Sequence, residues 1–166
     1  SDYTFGGILG TQEINTRASL YRKGTRISQS GTNTNYSWRT MVTHNSGLMD
    51  NGWAYSISGS RRWAQEGYFD GTDYAANSFF ASVEKRINKN HSLNFTSIYG
   101  QNYRGKNSPN TQEVTDIAGV KYNSYWGYQN GEQRNSRVKK LAEPINMLSH
   151  YWKMSDKTTL NTNVAY

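Results

Sequence analysis

From Gly52 to Trp63 the chain reads GWAYSISGSRRW, with a large residue at almost every second position. Trp53, Tyr55, Ile57 and Trp63 share one parity, while Ala54, Ser56, Ser58 and Ser60 share the other. A period of two is the mark of a β-strand with two unlike faces, whereas an amphipathic helix repeats its apolar residues at three and four. Alternation alone leaves the solvent on each side open. The large face packs a core in a soluble sandwich and meets lipid in a membrane barrel.

Composition narrows the choice. Only 34% of the 166 residues are hydrophobic and the mean hydropathy is −0.90, low for a chain that must bury a core. Disorder does not follow, because charged residues make up 19% and aromatic residues 14%, the opposite of the disordered bias. A sheet with one apolar face and a wet interior is both hydrophilic and aromatic-rich, so the expected fold is all-β, an antiparallel transmembrane β-barrel. No run approaches the ~20 apolar residues of a membrane helix, so a membrane role must run through strands. There is no cysteine, hence neither a disulfide framework nor a thiolate metal site. The chain opens Ser-Asp-Tyr without the charged and apolar regions of a secretory signal. A net charge of +7 suits nucleic acid, anionic headgroups or a basic channel wall, depending on how the cations are arranged.

Strands are expected at about 24–30, 36–44, 53–64, around 79–83, 93–99, 145–154 and past 157, about seven in all. In the second, Tyr36, Trp38, Thr40 and Val42 share a parity. In 145–154 the pattern decides nothing: Ile145, Met147 and Tyr151 compete with Leu148, Trp152 and Met154 for the apolar face. The run SRVKKLAE (136–143) is too short and uncapped for a convincing helix. Links at 45–51, 87–90 and 155–157 are short and fall on one rim. Those at 31–35, 65–76 and 102–143 fall on the other and include the long ones. Brief turns on one rim and long loops on the other is the asymmetry of outer-membrane barrels.

Trp53 to Trp63 spans ten residues, ~33 Å of strand, which a tilt of ~40° projects to ~25 Å, the height of the apolar band between aromatic girdles. Trp38, Trp53 and Trp63 are therefore expected at the membrane interfaces, with Tyr55 and Ile57 toward lipid and Ser56, Ser58 and Ser60 toward a wet lumen. Arg61 shares the lipid-facing parity, close to the outer girdle, where it reaches headgroups.

Catalysis finds no support in the residues. His44, His91 and His150 are far apart in sequence with no metal-ligand spacing. Ser58-Gly59-Ser60 lacks a nucleophile context, and GQNYRG (100–105) lacks the Lys-Ser/Thr of a phosphate loop. The expectation is no enzyme, no catalytic residue, no metal and no cofactor. Lys and Arg are scattered among loops, turns and both strand parities, which argues against a nucleic-acid surface. Within 102–143, Tyr103, Arg104, Trp126, Tyr128 and Arg134 combine flat apolar faces with hydrogen-bond donors, the means to recognise a cargo such as a glycan or peptide.

The segment FGGILGTQEINTRAS (5–19), through Gly6, Gly7, Ile14, Asn15, Thr16 and Arg17, resembles the end of the plug of TonB-dependent outer-membrane receptors. THNSGLMDNGWAYSISGSRRWAQEGY (43–68), SPNTQEV (108–114) and YNSYWGYQNGEQRNSRV (122–138) resemble the first third of the barrel in the long-looped, nutrient-importing receptors of that family. The resemblance implies a plugged barrel of about 22 strands that binds a nutrient at the surface of a Gram-negative cell and imports it. On that basis residues 1–20 are the plug end and its link, and 21–166 the N-terminal portion of the barrel in the cell outer membrane. The implied partners are outer-membrane lipid, the TonB machinery acting through parts of the receptor absent here, and a surface-exposed lipoprotein lid. If residues 7–17 instead form a strand, the count becomes eight, the size of a small closed outer-membrane barrel with a structural or adhesive role.

Overall fold

The computed structural model describes Gly10 and residues 14–166. Gly6 and Gly7 of the plug-end resemblance, and most of the 7–17 segment, lie outside the described residues. Among those described, Ile14 to Arg17 are not in a strand; a single 3-10 turn follows at Ala18–Leu20.

The fold is an antiparallel β meander. Its strands are β1 (Gly24–Gly31), β2 (Trp38–Asn45), β3 (Trp53–Ala64), β4 (Tyr74–Arg86), β5 (His91–Gly105), β8 (Val138–Lys153) and β9 (Thr159–Ala165). They form one seven-stranded sheet in the order β1-β2-β3-β4-β5-β8-β9. Between β5 and β8 the chain makes a short helix α1 (Gln112–Ala118) and a separate hairpin of β6 (Trp126–Gln129) and β7 (Glu132–Asn135). Among the described residues β1 and β9 are edges, and the sheet does not close on itself.

The expected strands are present with shifted ends. β2 starts at Trp38 rather than Tyr36. The ladder between β5 and β8 continues to Gly105↔Val138, so the long connection is 106–137 rather than 102–143. The run SRVKKLAE enters β8 as extended chain. Its alternation is invisible in sequence because Lys139 and Lys140 take opposite faces and both are exposed.

Each residue's face follows from the unbroken registers. Trp38↔Trp63↔Ala75↔Tyr103↔Lys140 is one rung of one face, and Arg39↔Arg62↔Ala76↔Asn102↔Leu141 is the adjacent rung of the other. The first we call the outer face. The second, which carries residues 14–21, is the inner face. Register also settles the strand at 145–154. Phe95 pairs with Leu148 and His91 with Trp152, so Leu148, His150 and Trp152 are outer, while Ile145, Met147 and Tyr151 are inner.

The two faces invert the usual arrangement of a soluble domain. Among the described residues the buried apolar side chains are alanines (Ala18, Ala54, Ala64 and Ala76), and the largest fully buried side chains include Glu84, Asn94 and Thr96. Phe79 on the outer face is 56% exposed, whereas Glu84 on the inner face is 0% exposed. Ile57, Val83, Phe95, Leu148 and Val164 are likewise outer and exposed. The outer positions of the seven strands carry no carboxylate, and their cations are Arg61, Lys85 and Lys140.

Aromatic residues mark the two ends of the outer face. At the loop end Trp38 and Trp63 sit directly opposite each other with ring centres 6.4 Å apart. At the turn end Trp53 lies under the ammonium of Lys85 at 4.9 Å. The same end gathers all three histidines. His44 meets Thr25 Oγ1 at 2.7 Å and lies beside Tyr55, while His91 and His150 share a ring-nitrogen contact of 3.1 Å next to Trp152.

Gly52 closes the tight turn between β2 and β3. It adopts φ +78°, and a Cβ there would stand 2.7 Å from the Arg86 carbonyl oxygen, whose own N–H donates to Gly52 O at 2.8 Å. Only glycine meets both demands without strain.

Candidate functional site

Two constellations stand out, one at each end of the sheet. The first is the inner face at the turn end, where residues 14–21 are seated. Small polar residues at Ser82, Glu84, Ser92, Asn94 and Thr96 give β4 and β5 a hydrogen-bonding surface rather than an apolar one, and the incoming segment satisfies it. Arg17 donates to Glu84 Oε1 from Nη2 at 2.6 Å and from Nε at 3.3 Å, and to Ser92 Oγ at 3.0 Å. The other carboxylate oxygen, Glu84 Oε2, accepts from Ser19 N at 3.0 Å. Ser82 Oγ donates to the Thr16 carbonyl at 2.6 Å, and Thr96 Oγ1 meets Thr16 Oγ1 at 3.2 Å. The guanidinium also lies 4.1 Å from the centre of the Tyr151 ring. Tyr21 closes the segment edge-on to Phe80 and donates from its phenol to Asn15 O at 2.7 Å. Burial pushes the Tyr21 phenol up, so it keeps its proton as a donor.

The second constellation is built by the loops at the other end. Asn123, 1% exposed, is its hub: Nδ2 donates to the carbonyls of Asp70 at 2.7 Å and Lys106 at 3.1 Å, and Oδ1 accepts from Ser108 N and Tyr125 N. Asn135 repeats the device, donating to Gly71 O and Lys106 O. These contacts pin the β6–β7 hairpin against the 65–73 loop. Gly71, at φ +64°, has no room for a side chain, since a Cβ would come 2.6 Å from Trp126 Cβ.

A cleft of about 840 Å³ results, lined by Tyr103, Trp126 and Arg134 together with Glu66, Asp70 and Asp73. Three of the five residues expected to recognise cargo are thus brought together. The other two are not among its lining. Arg104 follows Tyr103 in β5 and so takes the inner face, beside Tyr68, Phe69 and Asn107. Tyr128 is mostly exposed, its ring 6.0 Å from that of Trp126. The girdle residues Trp38, Trp53 and Trp63 all occupy the outer face, at its two ends.

Sequence reasoning missed Glu84, Asn123 and Asn135, because a lone Glu or Asn in a polar chain carries no periodic signal. The Asp70-Gly71-Thr72 turn was the one local cue to the cleft wall. Among the described residues no group of three or more His, Cys, Asp or Glu is placed to hold a metal.

Removing Arg17 strands a fully buried carboxylate. Arg17→Ala is expected to cost about 3–5 kcal/mol, and Glu84→Gln in the same chain to recover much of it. Thermal unfolding of the single and double variants checks this, and additive losses would mean the pair is not coupled.

Comparisons with protein-family models, with curated proteins and with solved structures return no match to this chain.

Proposed function

We propose that the chain is part of a TonB-dependent outer-membrane receptor that binds a nutrient at the cell surface and imports it across the outer membrane. The observation that carries the reading is the inversion of the sheet. An exposed apolar face without carboxylates suits hydrocarbon, where a charge at mid-depth costs about 2–4 kcal/mol, and a polar inner face suits a lumen. The girdle spacing from Trp53 to Trp63 agrees with that use of the outer face, as does the position of Arg61 and Lys85 near its ends. Strands β5 and β8 run on past this band, 15 and 16 residues long, and lift the 106–137 connection clear of it.

The small closed barrel is the weaker reading. It needs residues 7–17 as an eighth wall strand, and the described part of that segment, Ile14 to Arg17, is instead bonded to the inner face through Thr16 and Arg17. A segment held inside a barrel wall is what a plug end would be. Cargo recognition falls to the long connection, with Trp126 and Tyr128 as stacking surfaces and Arg134 as a donor. The cleft's position next to the outer parity of Tyr103 also suits a contact with a lipoprotein lid.

Three measurements test the proposal. The intact polypeptide carrying this sequence, taken from native outer membrane, should have a mass several times 18.9 kDa; a membrane species close to that mass favours the small barrel, and recovery only from the soluble fraction defeats both. Phe95→Lys should cost about 2–4 kcal/mol of folding into bilayers, while Thr96→Ser on the inner face should cost under about 1 kcal/mol; equal effects would remove lipid from the outer face. In the full receptor, Trp126→Ala with Tyr128→Ala should weaken cargo binding by about tenfold or more, and unchanged affinity would free the loop of that role.

A further inference from the structure

The strand cations are sorted unevenly between the faces. Arg26, Arg39, Arg62, Arg86, Arg104, Lys139 and Lys153 are inner, against Arg61, Lys85 and Lys140 outside. At the loop end this sorting produces two like-charge pairs in direct register, Arg39↔Arg62 on β2–β3 and Arg104↔Lys139 on β5–β8. Like charges directly opposite on one face repel, and a sheet normally avoids them. Among the described residues neither pair has a carboxylate at ion-pairing distance. The ion pairs among the described residues are Arg17–Glu84 at the other end and Lys153–Asp156 in a turn. The single inner carboxylate nearby is Glu143, which stands opposite Gly100, two rungs from Asn102 on the turn side.

Arg39 and Arg62 are half-buried, and the Nε of each is buried without a hydrogen-bond partner. What the described residues offer them is poor compensation: Arg39 Nη2 reaches the Met41 sulfur at 3.0 Å, and the Arg62 guanidinium lies over the Tyr36 ring at 5.7 Å. An N–H of a guanidinium removed from water without an acceptor is costly. Between the pairs, the rung from Arg62 continues through Ala76 and Asn102, a small residue and an amide, neither of which offers the arginines a carboxylate. Residues 14–21 bond to the turn-end half of this face, whereas at the loop end Arg104 is exposed and lies beside Tyr68, Phe69 and Asn107.

We propose that Arg39, Arg62, Arg104 and Lys139 form an anion-binding band on the inner face at the loop end, and that the ligand it takes carries carboxylate, sulfate or phosphate groups. The inference rests on the receptor reading and narrows its cargo: what enters at this mouth is anionic. Arginines at Arg39 and Arg62 offer planar forks to an oxyanion, and an oxyanion between them replaces mutual repulsion with two attractions. A cluster of positive charge also concentrates anions from solution, an effect that salt erodes.

The same chemistry has a second source, a carboxylate from elsewhere in the same polypeptide, and the experiment separates the two. The intact native polypeptide, purified from outer membrane, is titrated calorimetrically with tripolyphosphate, with triglutamate and with uncharged maltotriose at low salt. The expected result is binding of both polyanions, about tenfold weaker in Arg39→Gln/Arg62→Gln and nearly restored in Arg39→Lys/Arg62→Lys, with maltotriose indifferent to either change. The Gln variant removes the like-charge repulsion while keeping a polar side chain at each position, and its melting point is measured alongside binding. Equal polyanion binding by wild type and the Gln variant overturns the proposal. So does no polyanion binding with a lowered melting point in the Gln variant, which would assign the band to a carboxylate of the chain itself. Heat-modifiable migration of the same samples reports the folded barrel: its absence defeats the receptor reading, whereas its presence without polyanion binding defeats the anion band alone.

Discussion

A carboxylate with no exposed surface needs partners for both oxygens, and among the described residues Glu84 finds them in Arg17 and Ser19. Much of the inner face hangs on that requirement. Without Arg17 and the Ser19 N–H, the charge would remain in a site closed to water, where an unpaired ion is among the costliest defects a fold can carry. With them, the segment before β1 is fixed against β4 and β5, and Ser82, Asn94 and Thr96 complete a network in which almost every polar atom has a partner. The sheet is therefore held together by polar matching on one side and by strand pairing throughout, and not by an apolar core. Its large apolar residues stand instead on the exposed outer face.

Much of this was legible in the residue pattern. The alternation in 53–64 fixed the strand and both faces, because its small and large residues differ in size and in polarity at once. The short turns were legible from their Asn, Asp and Gly clusters. The strand at 145–154 was not, since both parities are equally apolar and only pairing with Phe95 and His91 distinguishes them. The cation sorting was hidden for a related reason. Arg61-Arg62, Lys85-Arg86 and Lys139-Lys140 are adjacent pairs, so each contributes one charge to either face and looks random along the chain. The asymmetry comes from the unpaired ones, and becomes visible only when the strands are laid side by side.

The loop-end cleft illustrates a different limit. Tyr103, Trp126 and Arg134 were found by chemical type, and the fold does bring them together, but adjacency in sequence misled for Arg104. In extended chain, neighbours point apart. What locates the cleft is instead a pair of asparagines, Asn123 and Asn135, tying backbone carbonyls of two loops, and a glycine that admits the Trp126 ring. Loops of this kind are ordered by side-chain amides acting on main chain, a role without a periodic signature.

The histidine pair at the turn end has a consequence for hydrogen bonding. The ring centres of His91 and His150 lie 5.3 Å apart with planes inclined by 4°, and their facing nitrogens are 3.1 Å apart. Beyond the nitrogen contact, that separation leaves only the radius of each ring, so the imidazoles lie edge to edge in nearly one plane rather than face to face. One ring donates and the other accepts. Because the contact uses Nδ1 of His91 and Nε2 of His150, the remaining nitrogens, Nε2 of His91 and Nδ1 of His150, carry opposite hydrogen-bonding roles toward whatever meets this end of the outer face.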